Sequence, residues 1–432
     1  MRLPCLLPDL KKTTKGGKWW LGRKLKLRIH LGVYLLQQIF NKTDRQIEYD
    51  VKDNGAYQIF CGRFTVDKWH VPDHTKIEEF RSRLTPETQK ILANHIAGHA
   101  VNLGFGDPSE VDIDSTVQEA NMAYPADSSL LKKLGTMCGK VAKVLNETVK
   151  TYIKEPLTVN VKRICSKARE YFFLPKNVAK EVKTKKLMSL LNIVCEEIKP
   201  IVEACFSLPE TYIKGIGWNH AKRIEQLRTL VSQYLKDVRT YLLTGSMVAT
   251  KILSFHLNEV VCFTKGKPGK KHQFGRAFQL GRVKGNFFFV GECTSSQMPD
   301  KASIKPMIKE HAKTFDATKI KSVSTDKGYF SQENEKYLAN EKVAEIAIQR
   351  PGNIKKKHPK PLTTERQEEL ANRRSGIEPL IGHAKHKGQL GRSRMKSDRT
   401  IESSGYTSIL GFNLRQIVRY QSGKFKNLGK TG

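Results

Sequence analysis

From Leu27 to Ile39 the apolar positions Leu27, Ile29, Leu31, Tyr34, Leu35 and Ile39 fall at near-helical spacings, and Thr43-Asp44 supplies a start for a second helix. Asp73-His74-Thr75 opens a third, carrying Ile77, Phe80 and Leu84. Thr85-Pro86-Glu87 then reads as an N-cap, a proline at the first helical position and an acidic first turn. This helical stretch, residues 1–108, closes at Gly104-Phe-Gly-Asp-Pro108. After Pro108 the period shortens. Val111, Ile113 and Thr116-Val117, interleaved with Asp112 and Asp114, predict a strand that carries both aspartates on one face. Beyond Pro125 the helical period returns and lasts to residue 249. Leu187, Leu191, Val194, Ile198, Ile201 and Cys205 step by fours and threes, as do Ile224, Leu227, Val231, Tyr234, Val238 and Tyr241. Two such seams are expected to bury each other as an antiparallel hairpin, with a kink at Pro200 and a stop at Gly245.

Strand character resumes over Lys251–Cys262, followed by a hairpin of Arg276–Val283 and Phe287–Glu292 around a Lys284-Gly285-Asn286 turn. Ile304, Met307, Ile308 and His311 predict a helix, and Ile320–Ser324 a strand ending at Asp326. Ser331–Leu338 reads as helix and Val343–Ile348 as strand. A basic loop from Arg350 to Pro361 precedes a helix with Glu378, and Ile409, Leu410, Phe412, Leu414, Ile417 and Val418 mark a final buried helix. This order is that of an α/β, ribonuclease H-like mixed sheet flanked by helices, with an N-terminal helical domain and a long helical insertion after the first strand. Residues 109–127 hold the first strand, 128–249 the insertion and 250–432 the rest of the sheet domain.

Chemistry sharpens the picture near the C-terminus. At about 100° per residue, Arg374, Glu378 and Lys385 fall within roughly 40° of one another on a helix, so one face presents a carboxylate between two cations. A carboxylate in such a face, joined by aspartates delivered by strands, suits divalent-metal phosphoryl transfer. Lys+Arg 76 against Asp+Glu 42 leaves a formal charge of +34. Counterion release then makes nucleic acid the expected partner, although ribosomal or anionic membrane surfaces would draw the same excess. The eight cysteines form no Cys-x2-Cys pair, and most lie among apolar neighbours, which points to reduced, buried thiols in a reducing cytoplasm. The N-terminal apolar run is too short for a signal peptide, and no segment reaches the ~20 apolar residues that span a bilayer, so export and membrane insertion are not expected. Lys265–Lys271 and Lys355–Lys360 read as DNA contacts. Lys132-Lys133 and Lys183–Lys186 either track DNA or stay solvated, and Trp19-Trp20 either stack on bases or pack against the helical domain.

Three motifs carry a family resemblance. They are Asp114-Ser-Thr-Val-Gln-Glu-Ala-Asn-Met-Ala-Tyr-Pro-Ala-Asp-Ser-Ser-Leu-Leu131, Ser324-Thr-Asp-Lys-Gly-Tyr-Phe330 and Arg374-Ser-Gly-Ile-Glu-Pro-Leu-Ile-Gly-His-Ala-Lys385. The last is followed by Gly391-Arg-Ser-Arg-Met-Lys396 and Gly411-Phe-Asn-Leu-Arg415. With these, and with Gly62-Arg-Phe, Pro72-Asp73 and Glu79-Phe-Arg-Ser-Arg-Leu84 upstream, the chain resembles the DDE transposases of bacterial insertion sequences across nearly its whole length. The resemblance implies that Asp114, Asp326 and Glu378 coordinate two Mg2+ ions, for which Mn2+ can substitute. It implies further that Arg374, Lys385, Lys327, Arg392, Arg394 and Lys396 bind DNA. The partners implied are the terminal inverted repeats and target DNA, held by a homo-oligomer in the bacterial cytoplasm, at the nucleoid. The family places a tyrosine three residues before the arginine, where this chain has Ala371. A catalytically inactive relative that only binds element ends, or represses transposition, is the alternative. A structure-selective nuclease on the same fold is a third reading. Asp112, on the face of Asp114, competes with it as a ligand, and His383 and His386 are expected to face DNA or serve structure.

Overall fold

The computed structural model describes residues 27–64, 69–149, 153, 155–175, 177–246, 248, 251–264, 272–294, 299–352 and 361–425. Trp19-Trp20 and the loops Lys265–Lys271 and Lys355–Lys360 lie outside the described residues. The chain divides into two compact units, Met1–Asn121 with Glu259–Gly432, and Met122–Asn258.

The first unit is built on one six-stranded sheet: β1 (Asp107–Glu119), β2 (Val261–Thr264), β3 (His272–Lys284), β4 (Phe287–Thr294), β5 (Ser322–Thr325) and β6 (Glu345–Ile348). β1 runs antiparallel to β3 and parallel to β5, and β5 runs parallel to β6. β4 and the short β2 both pair antiparallel with β3. A hairpin on one side of β1 and parallel strands on the other make the ribonuclease H-like sheet that the sequence predicts. The β3–β4 turn requires its residues: Gly285 and Asn286 take φ of 94° and 66°, and a Cβ on Gly285 would lie 2.2 Å from the Phe105 carbonyl oxygen. One expectation is corrected here. Pairing begins only at Val261, whereas residues 251–260 form no strand and bury Leu253, Phe255, Leu257 and Val260 through irregular backbone. Alternating apolar residues imitate a strand wherever a segment has a core to face and no neighbouring edge to join.

Among the described residues five helices precede the sheet: α1 (Leu27–Phe40), α2 (Asp44–Asp53), α3 (Gly55–Phe60), α4 (His74–Arg83) and α5 (Pro86–Asn102). Their starts follow the predicted caps. Thr43 and Gln46 form a capping box, and the Asp73 and Thr85 side chains accept from the backbone of Lys76 and Thr88. After β4 come α11 (Ile304–Thr314), α12 (Gln332–Asn340), α13 (Thr364–Ser375), α14 (Ile377–Lys387) and α15 (Asp398–Gln421). Phe287, Phe288, Phe289 and Val290 are all fully buried, so both faces of β4 are covered by helices. Leu31, Tyr34 and Phe80 of the N-terminal helices belong to the same hydrophobic core as the sheet.

The outer edge of β4 is closed by two asparagines. Asn413 of α15 accepts from Phe288 N at 2.9 Å and donates to Phe288 O at 2.7 Å, while Asn94 of α5 accepts from Val290 N at 2.8 Å and donates to Val290 O at 3.0 Å. Each amide does for one residue what a further strand would do, so the edge offers no open donor or acceptor there.

The second unit is helical: α6 (Asp127–Thr148), α7 (Val161–Phe172), α8 (Lys180–Ser207), α9 (Glu210–Gly215) and α10 (Trp218–Thr244). Its core joins the two predicted seams, Leu187 to Cys205 and Ile224 to Val238, with Leu131, Leu134, Cys138 and Leu145 of α6. α8 continues through Pro200, and Gly245 ends α10 in the left-handed conformation at φ 72°. Cys61, Cys138 and Cys205 are buried and Cys165, Cys195, Cys262 and Cys293 half-buried, and none of these cysteines forms a disulfide. Among the described residues no helix is long and apolar enough to cross a membrane.

Replacing Asn413 by alanine strands the N–H and C=O of Phe288 in the core. Chemical denaturation should show a loss of about 2–4 kcal/mol, and a loss below ~0.5 kcal/mol would refute the edge-closing role.

Candidate active site

The register of the parallel strands sets the geometry. Ile113 of β1 lies beside Thr325 of β5, the last pair of that ladder, so Asp114 and Asp326 are the next residues on strands roughly 4.8 Å apart. β5 stops there while β1 continues along β3 to Glu119. Asp326 leaves the sheet and caps a short turn at Lys327–Tyr329, accepting from Lys327 N at 2.6 Å. The Asp114 carboxylate accepts from Ser115 N at 2.8 Å. Its pKa is raised, first by burial and then by repulsion from Asp326 and Glu378, against the opposing pull of the Ser115 N–H and the Arg374 guanidinium. The fold therefore brings the two aspartates and Glu378 into one electrostatic neighbourhood.

The helix expected to carry Arg374, Glu378 and Lys385 on one face is two helices. α13 ends at Ser375, Gly376 makes the joint, and α14 begins at Ile377. A Cβ on Gly376 would lie 2.7 Å from Arg282 Nη1, so a side chain at the joint would displace that guanidinium from its place beside Asp112. Glu378 is the second residue of α14 and Pro379 the third, where the missing N–H breaks no bond. Arg374 is the last cation of α13. Its Nη1 lies 3.8 Å from Asp114 Oδ2 and its Nη2 3.6 Å from Glu378 Oε1, and its side chain is only 11% exposed. The residue read as a phosphate contact thus points inward, between two of the three acids.

Asp112 is taken out of contention. Its carboxylate is buried and accepts from Arg282 Nε at 2.8 Å and Arg373 Nε at 2.9 Å. Two guanidiniums leave it little capacity for a metal. Arg373 also reaches Glu110 at 3.1 Å and Ser322 Oγ at 2.7 Å. The Arg373-Arg374 doublet therefore serves Asp112 and Asp114 of β1, one arginine each.

Among the other expected DNA residues, Lys327, Arg392, Arg394 and Lys396 are exposed and Lys385 is half-buried. The segment with Arg392 adds to β1 as an isolated bridge from Glu119, beyond the point where β5 ends. His383 and His386 are exposed on α14. Ala371 lines a cavity of about 400 Å3 with Ser324, Ile346, Ile348 and Gln367. Sequence reasoning passed over a buried relay in which Tyr329 OH donates to Gln279 Oε1 at 2.9 Å and Gln279 Nε2 donates to Asp300 Oδ1 at 3.4 Å. Burial, with Asp300, Asp114 and Asp326 nearby, pushes the Tyr329 hydroxyl pKa far up, so it stays a donor. Tyr329 lies in the second motif and so had a signal. Asp300 and Gln279 had none.

The comparisons with known proteins bear on these same segments. The family model described as Transposase domain (DUF772) matches residues 17–83, and the one described as Transposase DDE domain matches residues 267–414. The chain belongs to the DDE transposases of insertion sequences. The second match contains Asp326, Arg374, Glu378 and Lys385, while Asp114 and the helical unit lie outside both. The transposase is also 26% identical, over 148 residues covering 33% of its own length and 69% of the relative's, to a Rhizobium meliloti protein described as Uncharacterized protein ORF8 in nfe locus. No solved structure matches.

Membership implies DNA as partner and a divalent metal as cofactor. The donors fit such an ion: they are hard carboxylate oxygens, and Asp114 already bears the repulsion that a cation would relieve. Among the described residues, no three His, Cys, Asp or Glu side chains gather closely enough to hold the ion as they stand. Glu378, 64% exposed, is the acid with room to change rotamer.

The raised Asp114 pKa has a definite sign in linkage. Between its unfolded value near 4 and its higher folded value, the native transposase binds more protons than the unfolded chain, so this group makes stability fall as pH rises. In metal-free buffer Asp114→Asn should therefore raise Tm at pH 7, with the gain disappearing below about pH 4. A Tm lowered at pH 7 by that variant would contradict the assignment.

Proposed function

We propose that this transposase binds the terminal inverted repeats of its element, cleaves phosphodiester bonds there and joins the freed 3' ends to target DNA. What supports this reading is the electrostatic neighbourhood that Asp114, on a central strand, shares with Asp326 at its parallel neighbour's end and Glu378 at a helix start, with the Arg374 guanidinium between Asp114 and Glu378. Asp114, Asp326 and Glu378 would hold two divalent ions, Mg2+ in the cell with Mn2+ able to substitute. Bound there, the ions supply activation of a water or 3'-hydroxyl and stabilisation of the leaving oxygen.

The protein's own groups do the rest. Asp114 presents its oxygens from within β1 and Asp326 from just past the end of β5, and α14 offers Glu378 from its first turn. Arg374 balances Asp114 and Glu378, so the acids can stay close before an ion arrives. Lys327, Lys385, Arg392, Arg394 and Lys396 hold DNA phosphates, lysine as a point charge and arginine in bidentate fashion. Because two element ends must be held together, the acting form is a homo-oligomer, and it works at the nucleoid in the bacterial cytoplasm.

A second reading has one observation in its favour. Ala371, at the position of the family tyrosine, faces a cavity instead of filling it, as in a copy that binds ends without cutting them. Nicking of a labelled inverted-repeat duplex in Mg2+ decides between the two. Asp326→Asn should reduce nicking by about 10³-fold or more while leaving metal-free DNA affinity within about twofold. Undiminished nicking by the variant would reject the catalytic assignment, and a wild-type protein that binds but never nicks would establish the silent relative.

A further inference from the structure

We infer that the helical unit carries a phosphate-binding groove of its own, built for the backbone of DNA and lying wholly within residues 129–256. This rests on the reading of the chain as a DNA-binding transposase, and it names a site that neither family match covers. Lys132, Lys133 and Lys140 of α6, Arg223 of α10 and His256 surround a cavity of about 530 Å3. Its apolar lining comes from Leu130, Met137 and Phe255, and no carboxylate lines it.

Three features together mark this groove, the first of them shared with other exposed lysines of the unit such as Lys162, Lys185 and Lys214. The first is charge left over. Arg163, Lys167, Lys186, Arg228 and Lys251 of the same unit are ion-paired with Glu196 and Glu197, Glu170, Glu170, Glu210 and Asp127. Lys132, Lys133, Lys140 and Arg223 have no carboxylate partner among the described residues.

The second is spacing. Steps of four put Lys132, Thr136 and Lys140 in one row, and Lys132 to Lys140 spans about 12 Å of helix axis at 1.5 Å per residue. At about 3.4 Å of axis per phosphate, that row covers roughly three to four phosphates of one strand. A small free anion would engage only one or two of these cations.

The third is construction. The Gln226 amide donates to the Phe255 carbonyl oxygen, and Ser254 Oγ lies 3.0 Å from His256 Nδ1, so the segment closing the groove is fixed to α10. Apolar lining beneath a cationic rim suits a strand with apolar sugar faces and charged phosphates.

The test uses the full-length transposase and a duplex carrying the element end, with affinity measured across a salt series. Lys132, Lys133 and Lys140 are exposed, so K132Q/K133Q/K140Q should keep the wild-type Tm. It should bind about 10-fold or more weakly near 0.15 M salt, and its plot of log K against log salt should be shallower by about 2–3. Arg223→Gln should act in the same direction, with a change in slope of about 1. K162Q/K185Q/K214Q, which removes three exposed lysines of the same unit away from the groove, should change the slope by less than about 1. A groove variant with wild-type affinity and slope overturns the inference, as does a control variant with an equal loss. Inorganic phosphate that competes as well as an oligonucleotide, mole for mole, would mark a small-anion site and overturn it too. Wild-type nicking, measured in parallel, shows whether a failed groove leaves the transposase reading standing or falls with it.

Discussion

The site depends on one buried ion group. Asp112, in the middle of β1, is gripped by Arg282 from β3 and Arg373 from α13, and Arg282 also donates to the Arg373 carbonyl oxygen. Through Arg373 the same group reaches Ser322 of β5. Three strands and a helix are thereby tied at one depth in the sheet. Removing one partner of such a group costs about 3–5 kcal/mol, because a charge is left buried and alone. The consequence for function is geometric: once Arg373 is held on Asp112, the next residue, Arg374, can only fall beside Asp114, and the Gly376 joint delivers Glu378 to the same place.

That arrangement gives Arg374 a meaning beyond phosphate binding. Burial is the main cause of the raised Asp114 pKa, and repulsion from Asp326 and Glu378 adds to it. A guanidinium between two of them supplies positive charge in the polypeptide itself. The buried relay from Tyr329 through Gln279 to Asp300 adds a permanent donor beside the aspartates without adding another titrating group near neutrality.

Sheet and insertion solve different problems. The sheet has an edge at β4, and Asn94 and Asn413 close it with side-chain amides from the first and last thirds of the chain. This is why the N-terminal helices share the sheet's core. The insertion is stabilised by its own apolar seams, which leaves its surface charge available for other work.

Much of this was legible in the sequence, for a physical reason. Helix periods, caps such as Thr43, Asp73 and Thr85, the Gly285-Asn286 turn and the Gly245 stop are local preferences, set within a few residues of backbone. The three motifs placed Asp114, Asp326 and Glu378 in order along the chain. Residues 251–260 misled because alternation reports burial and not pairing. The span from Arg374 to Lys385 misled because its periodicity contains no sign that Arg282, far away in the chain, must pass over Gly376. Which aspartate of β1 is neutralised, where Arg374 points and what completes the edge of β4 were decided only by tertiary structure, since each depends on a charge or hydrogen-bonding group brought from a distant segment into a space that water has left.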